Sequence, residues 1–281
     1  MLGPAAGADL MGAMSDRYTH GHHDSVLRAH RWRTVENSAA YLLPHLQAGQ
    51  RLLDVGCGPG TITLDLAARV APGEVVGIDV SADVVAAAET DRAAAGVDHV
   101  RFAVGDVYAL DDDDASYDVV HAHQVLQHLS DPVRALLELR RVLKPGGLLA
   151  VRDGDYGGFL WSPADPRLTR WNDLYHQVTA RNGGEADAGR LLPAWVRAAG
   201  FTDIRMTSST WTFADADTRA WWGDLWAERV AAPGSAFAQQ AVDYDLADGA
   251  ELQELATAWR DWAAADDAVL IIPHGEVLAT R

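Results

Sequence analysis

The chain has 281 residues, of which 48% are hydrophobic and 22% are charged, so it is long enough for one large α/β domain with a packed core. Its 40 acidic residues outnumber the 23 lysines and arginines, and the net charge of −17 disfavours a nucleic-acid partner because it would repel a phosphate backbone. The single cysteine excludes an internal disulfide, and no apolar run approaches the roughly 20 residues of a membrane span, so we expect a cytoplasmic protein. Because the charge disfavours a nucleic acid, we expect a small molecule as its partner.

Short apolar runs alternate with helical patterns along most of the chain. The predicted strands span residues 51–55, 74–80, 99–106, 117–123, 148–153, 203–213 and 269–280. The predicted helices span residues 31–47, 61–71, 81–95, 131–143, 191–201 and most of 215–265. Because strands separated by helices form right-handed crossover units, this order predicts an α/β fold with a mostly parallel seven-stranded sheet and helices on both faces. Ligands bind at the carboxyl edge of such a sheet.

The two ends of the chain differ from this alternating pattern. Residues 1–30 are predicted to form a flexible leader and an N-terminal helical lid, and they lack the basic start and apolar block of a signal peptide. Nine of the ten tryptophans follow residue 154. Segments at about 154–190 and 214–266 are expected to cap the substrate side of the sheet, the second as a helical insertion before the last strand. Residues 31–281 then form one catalytic domain.

The stretch LLDVGCGPGT, residues 52–61, carries three glycines directly after the first predicted strand. Gly56, Gly58 and Gly60 permit a tight turn and a close approach of a ligand, and the next helix offers its N-terminus. The spacing G-x-G-x-G differs from the G-x-G-x-x-G of dinucleotide loops. Asp54 precedes the glycines, and a carboxylate suits an ammonium group better than a pyrophosphate. The loop therefore indicates a nucleoside cofactor that carries a cation.

Acidic residues also end the second and third predicted strands. Asp79 can accept hydrogen bonds from both hydroxyls of a ribose, which taken alone would also suit NAD. Asp106, after Gly105, can accept from an adenine amino group while Val107 packs on the ring. Together with Asp54, these carboxylates are predicted to contact ammonium, ribose and adenine in order.

Five segments occur here in the order that is typical of one enzyme family: LDVGCGPG, VVGIDVS, VRFAVGDV, YDVVHAHQVLQHL and LRRVLKPGG. Over residues 15–153, and loosely over 190–213 and 268–281, the chain resembles class I S-adenosylmethionine-dependent methyltransferases, and among them the ubiquinone/menaquinone-biosynthesis-type group that acts on small molecules. The resemblance implies a Rossmann-like fold and S-adenosylmethionine as cofactor. The cofactor-binding residues that we predict are Tyr18, His22, Asp54, Gly56, Cys57, Gly58, Gly60, Asp79, Val80, Ser81, Gly105, Asp106, Val107, His123, Gln124 and His128.

Transfer of a sulfonium methyl requires mainly that acceptor atom, methyl and sulfur are aligned. A base is needed only if the acceptor atom carries a proton that must leave. The candidate catalytic residues are His123, Asp153 and Asp155, which follow the fourth and fifth predicted strands. The candidate acceptor-binding residues are Tyr156, Trp161, Trp171, Asn182 and Trp222. Their aromatic character suits a flat, largely apolar acceptor, such as a quinone, polyketide, indole or terpenoid-like metabolite.

Two other functions remain open at this stage. One is an NAD-type oxidoreductase, which the glycine spacing and Asp54 disfavour. The other is a protein on the same fold that binds S-adenosylmethionine without methylating anything. A metal site at His20, His22 and His23 is disfavoured because these residues lack a regular ligand spacing. The chain is also compatible with a homodimer.

Overall fold

A computed structural model describes residues 16–21 and 24–281 of the chain. Its strands are β1 Leu52–Val55, β2 Val75–Asp79, β3 Val100–Val104, β4 Tyr117–His123, β5 Leu143–Gly154, β6 Leu160–Ser162, β7 Thr202–Phe213 and β8 Val269–Thr280. Its helices are α1 Asp24–Arg31, α2 Val35–Ser38, α3 Thr61–Val70, α4 Ala82–Ala95, α5 Pro132–Val142, α6 Pro166–Arg181, α7 Ala188–Ala198, α8 Ala216–Ala231, α9 Ala236–Asp243 and α10 Gly249–Ala264. Within these ranges, no helix combines the length and the apolar character that crossing a membrane requires.

The strands form a single sheet in the order β3-β2-β1-β4-β5-β8-β6, and β7 pairs with β8. Strands β1 to β5 run parallel, whereas β8 is antiparallel to β5, β6 and β7. The predicted Rossmann-like, mostly parallel α/β fold is confirmed, with a helical insertion, α8 to α10, before the last strand. The parallel order brings the carboxyl ends of β1, β2, β3 and β4 to one edge of the sheet.

Local sequence signals explain the central elements. Every residue of β1 is buried, because an apolar strand in the middle of a parallel sheet is covered on both faces. Helix α4 begins at Ser81, whose hydroxyl accepts from the backbone N–H of Val84 at 3.4 Å. It ends at Gly96, where a φ of +65° turns the chain out of the helix.

The described part of the chain contains one strand more than the seven predicted. The additional strand is β6, three residues long, which pairs with the start of β8. Its length explains why it was missed, since three residues are too few to show the alternation that identifies a strand.

The predicted helix at 31–47 is wrong, because the structure divides this segment. Helix α1 ends at Arg31, and Thr34 begins α2 with its hydroxyl accepting from the Asn37 N–H at 3.4 Å. At Ala39 the backbone leaves the helical region with φ −139°, and a 3₁₀ turn follows that contains Pro44. Proline at the start of a turn is favourable, whereas inside a continuous helix it would remove a hydrogen bond.

Helices α1, α6, α8, α9 and α10 surround an aromatic cluster beside the sheet. Trp171, Trp226 and Trp259 are almost completely buried there, and the ring of Trp171 lies edge-on to both others at 4.5 and 4.7 Å. Arg28 of α1 forms an ion pair with Glu228 of α8. The cluster fixes α1 and α8 over the part of the sheet where β4 and β5 end.

Candidate active site

A cavity of about 980 Å³ lies at the carboxyl ends of β1, β2, β3 and β4. Most of the predicted cofactor-binding residues line it: Tyr18, Asp54, Gly56, Cys57, Gly58, Asp79, Val80, Gly105, Asp106, Val107, His123, Gln124 and His128. Gly60 and Ser81 do not line it, and His22 lies outside the described residues. We call this space the outer cavity.

Gly60 and Ser81 support the residues that line the cavity. Gly60 begins α3 with φ +82°, and a Cβ at this position would lie 2.5 Å from the ring of Phe102. Ser81 donates its backbone N–H to Oδ1 of Asp79 at 3.0 Å, and Gly58 donates its own to Oδ2 at 3.2 Å. The structure therefore assigns both residues to the support of the loop and of Asp79, in place of a direct contact with the cavity.

The carboxylates at the strand ends have different environments. Asp79 is half-buried and lines the outer cavity. Asp106 accepts from the backbone N–H of Tyr108 at 2.9 Å, next to the buried Val107. Val80 is 72% exposed, although large apolar side chains are usually buried, and it forms part of the cavity wall. This arrangement has polar acceptors beside an apolar surface, as a nucleoside requires.

Asp54 is buried and already has two side-chain partners. Its Oδ1 lies 2.7 Å from Nδ1 of His121, and its Oδ2 accepts from the hydroxyl of Thr63 at 2.5 Å. His121 and Thr63 were not identified from the sequence. They orient the Asp54 carboxylate, which lines the outer cavity.

Arg33 is the main cavity residue that the sequence did not reveal. Its Nη2 donates to Oε1 of Gln124 at 2.5 Å, and Nε2 of Gln124 lies 2.9 Å from Nε2 of His274. Gln124 has φ +54°, a strained value for a residue with a side chain. Burial lowers the pKa of Arg33 to about 10, so the guanidinium is still charged at neutral pH. A cation therefore lines the outer cavity together with the strand-end carboxylates.

His123 lines the cavity but has the wrong electrostatics for a base. Nη1 of Arg152 lies 3.5 Å from its Nδ1, and because a guanidinium only donates, the proton of a neutral His123 is on Nε2. Burial, together with the charge of Arg152, moves the pKa of His123 well below its usual range. The Nε2 atom of His123 is buried and has no hydrogen-bond partner among the described residues.

The two aspartates predicted as bases do not line the outer cavity. Asp153 is fully buried, and its Oδ1 accepts from the backbone N–H of Gln127 at 3.2 Å. Asp155 forms an ion pair with Arg190, whose Nε lies 2.7 Å from Oδ2. Neither carboxylate lines the outer or the inner cavity, so no contact with either cavity supports their predicted catalytic role.

The burial of Asp153 predicts a specific pH dependence of stability. Desolvation raises its pKa to about 8, so between about pH 4 and 8 the folded protein holds a proton that the unfolded chain releases. The stabilisation is complete below the ordinary pKa and is lost as the pH rises to about 8. We expect this group to lower the free energy of unfolding by up to about 1.4 kcal/mol per pH unit across that range. Urea unfolding at several pH values measures it.

Asp153→Asn mimics the protonated carboxyl and is expected to lose this contribution to the slope. The exposed Asp83 provides the control, since Asp83→Asn is expected to keep the wild-type pH dependence. Equal slopes for Asp153→Asn and the wild type would contradict the expectation.

A second, much smaller cavity of about 20 Å³ adjoins the outer one, and His30, Arg33 and Gln124 line both. We call it the inner cavity. Its remaining lining residues are His20, Val26, Ala29, Gly154, Tyr156, Phe159, Trp211, Trp222, Trp226, Arg229 and Ile272. Aromatic rings dominate this wall, and Phe213 stacks on Trp222 behind it at 4.4 Å.

Two of the five predicted acceptor-binding residues, Tyr156 and Trp222, line the inner cavity. The others do not. Trp171 lies inside the buried aromatic cluster, to which Tyr156 and Trp222 also belong, and Trp161 packs against that cluster. The side-chain NH₂ of Asn182 donates to Gln240 at 2.8 Å, which makes it a structural amide. Periodicity does not separate these roles, because a ring that lines a cavity and a ring inside a core occupy similar helical positions.

The inner cavity also contains residues that were not predicted to bind an acceptor. Trp211 donates its indole N–H to the carbonyl of Asn37 at 2.7 Å, which fixes its ring against the cavity. Nε2 of His20 lies 3.0 Å from the hydroxyl of Tyr175. Arg229 reaches the cavity from α8. The histidine cluster and the tryptophan excess were visible in the sequence, but nothing in it linked Arg229 to a site.

Comparisons with known proteins agree with this geometry. A methyltransferase domain family matches residues 46–200. An uncharacterized methyltransferase of Schizosaccharomyces pombe is 33% identical over 272 residues, 93% of this chain and 95% of the relative. A probable methyltransferase of Aspergillus luteorubrus is 31% identical over 283 residues, 95% of this chain and 98% of the relative. The crystal structure of the YcgJ protein from Bacillus subtilis shares the fold, with a TM-score of 0.59 at 19% identity over 88% of this chain and 98% of that one.

The two relatives align with this chain over nearly their whole length. The domain match includes the glycine loop and the ends of β2, β3 and β4, which are the segments that build the outer cavity. The chain therefore belongs to the class I S-adenosylmethionine-dependent methyltransferases.

Proposed function

We propose that the protein transfers a methyl group from S-adenosylmethionine to a small, largely apolar or aromatic acceptor. The observation that carries this proposal is the contact between the two cavities. The outer cavity has the polar groups that a nucleoside requires, the inner cavity is walled by aromatic rings, and the two meet at His30, Arg33 and Gln124. The net charge of −17 supports a small molecule over a nucleic acid.

The outer cavity fits the cofactor in each of its parts. Asp79 would accept from the ribose hydroxyls, and Asp106 would accept from the adenine amino group. Asp54 would contact the ammonium group, while Arg33 would bind the carboxylate, since a guanidinium and a carboxylate match in charge and geometry. The charge pattern of the cavity thus corresponds to that of the amino-acid end of the cofactor.

The cofactor supplies a methyl group on a positively charged sulfur, so the acceptor atom has mainly to be aligned and kept from water. The histidines around the junction of the cavities suit this chemistry because they are uncharged. Burial lowers the pKa of His128 to about 3 and moves the pKa of His20 well below its usual range. Neutral imidazoles beside a sulfonium avoid the repulsion that imidazolium ions would add.

Two measurements test the proposal. We expect calorimetry to show tight binding of S-adenosylhomocysteine and no binding of NADH. We also expect mass spectrometry to detect an added methyl group on at least one compound from a panel of quinones, indoles, aromatic polyketides and terpenoids. Binding of NADH alone would overturn the proposal. Binding of S-adenosylhomocysteine without methylation of any acceptor would favour a non-methylating protein on this fold.

The contact of Arg33 with the cofactor carboxylate gives a separate prediction. Arg33→Lys keeps the charge but loses the planar fork, and we expect S-adenosylhomocysteine to bind roughly 3- to 10-fold more weakly. 5′-Methylthioadenosine lacks the amino-acid part, so its affinity should not change. Calorimetry with both ligands measures the difference. A parallel loss for both ligands would show that Arg33 acts through the shape of the cavity instead.

A further inference from the structure

Arg229 is a buried cation whose hydrogen-bonding capacity is largely unused. It lies on α8 and is only 5% exposed, with its guanidinium 5.1 Å from the ring centre of Trp226. Its Nη2 donates to the backbone carbonyl of Ser25 at 3.1 Å, while its buried Nε has no acceptor. A buried donor without an acceptor costs free energy, so its presence calls for a reason.

No carboxylate of the described residues compensates this charge. Within the described part of the chain, neither Arg229 nor Arg33 has an Asp or Glu oxygen within 4.0 Å, and the neighbouring Glu228 is paired with Arg28. Burial lowers the pKa of Arg229, because the apolar surroundings disfavour its charged form. The inner cavity therefore has one buried and one half-buried guanidinium group on its wall, and the described residues supply no acid to pair with them.

The two arginines differ in which cavity they reach. Arg33 lines both cavities, whereas Arg229 lines the inner one alone. The cofactor brings one carboxylate, and Arg33 is placed to bind it in the outer cavity. Arg229 is then left for a group that enters the inner cavity, where the acceptor must lie to reach the methyl group.

We propose that the acceptor is an aromatic or cyclic acid whose carboxylate binds Arg229 while its ring packs among Tyr156, Trp222 and Trp226. The identity of the acceptor as an acid rests on the proposed methyltransferase function. A guanidinium group can donate two parallel hydrogen bonds to a carboxylate. The attraction between the two charges is stronger among apolar rings than in water. The same rings provide the surface for the apolar part of the acid.

The inner cavity of about 20 Å³ is too small for such an acid, so side chains must move when it binds. Val26 and Ala29 of α1 form part of its wall, and α1 is held to α8 by the Arg28–Glu228 ion pair. The free energy gained when an acid pairs with Arg229 would offset part of the cost of separating α1 from α8.

Matched pairs of acids and primary amides test the proposal without knowledge of the natural acceptor. The probes are indole-3-acetate and its amide, 2-naphthoate and its amide, and benzoate and its amide, titrated by calorimetry into the full chain saturated with S-adenosylhomocysteine. We expect at least one acid to bind 10-fold or more tightly than its amide. The absence of any preference for an acid across the panel would overturn the proposal.

Two variants locate the preference. Arg229→Met retains the apolar stem and is expected to abolish the difference between acid and amide. Arg219 provides the matched control, because it is buried on the same helix and donates to the carbonyl of Ala214, yet lines neither cavity. Arg219→Met should keep the wild-type preference. An acid preference that survives in Arg229→Met would also overturn the proposal.

Titration with S-adenosylhomocysteine alone separates this proposal from the one on which it rests. If the wild type binds S-adenosylhomocysteine but shows no acid preference, only the acceptor class is wrong. If it does not bind S-adenosylhomocysteine, both proposals fail. Binding of S-adenosylhomocysteine by Arg229→Met within 2-fold of the wild type would show that the variant is folded. If that variant does not fold, Arg229→Lys is tested in its place. It keeps the charge without the planar fork, and its preference for the acid over the amide should be smaller than that of the wild type.

Discussion

Replacement of Asp79 by alanine is expected to weaken the binding of S-adenosylhomocysteine by about 5- to 150-fold, which corresponds to ~1–3 kcal/mol. The variant would lose the charge-assisted hydrogen bonds between the ribose hydroxyls and the Asp79 carboxylate. It would also lose the hydrogen bonds that the backbone N–H groups of Ser81 and Gly58 donate to this carboxylate, at 3.0 and 3.2 Å, and that connect Asp79 to the glycine loop. Both losses act in the same direction, and calorimetry measures their sum.

The choice of ligands and variants makes this result specific. 5′-Methylthioadenosine has the same ribose, so Asp79→Ala should weaken both ligands alike, in contrast to Arg33→Lys. Asp83, an exposed residue in the first turn of α4, gives the control, and Asp83→Ala should bind both ligands as the wild type does. Unchanged affinity in Asp79→Ala would remove this residue from the ribose site.

Replacement of Gly60 by alanine is expected to lower the free energy of unfolding by about 2–5 kcal/mol. Roughly 1–2 kcal/mol of this is the cost of a side chain at a positive φ, here +82°. The rest, about 1–3 kcal/mol, is overpacking, because the new methyl group would lie 2.5 Å from the ring of Phe102 and 3.2 Å from Cβ of Ala88. Urea denaturation followed by tryptophan fluorescence gives the change in stability.

Gly96 separates these two contributions. It has a similar φ of +65°, but a Cβ added there would meet no atom within 4 Å. Gly96→Ala should therefore show only the conformational cost, roughly 1–2 kcal/mol. If both variants lose the same stability, the contact between α3 and Phe102 is looser than the structure indicates, and the third glycine of the loop is required only for its backbone conformation.

Much of the cofactor side follows from the sequence by itself. The apolar run of β1, the three glycines after it and the capped helix α4 are local patterns, and local patterns determine local structure. The carboxyl ends of parallel strands must lie at one edge of the sheet, so Asp54, Asp79 and Asp106 could be placed together before their coordinates were known. The order of the motifs also identified the family, which the comparisons confirm.

The acceptor side depended on the tertiary structure. Arg33 meets Gln124 from 91 positions away, and His20 meets Tyr175 from 155 positions away, and no local pattern predicts such pairs. Trp171 and Trp222 have the same residue type, lie on helices and belong to the same buried cluster, yet only Trp222 lines a cavity. Only the packing of helices on the sheet distinguishes them.

The same reason explains the aspartates and the arginine of the site. Asp153 and Asp155 end a strand at the active edge, which made both of them candidate bases from the sequence. Whether such a side chain faces the cavity or an arginine on another helix is decided by contacts between distant segments, as the Asp155–Arg190 pair shows. A charged residue on a helix is also usually exposed, so only the folded structure could reveal that Arg229 is buried, lines the inner cavity and has no carboxylate partner among the described residues.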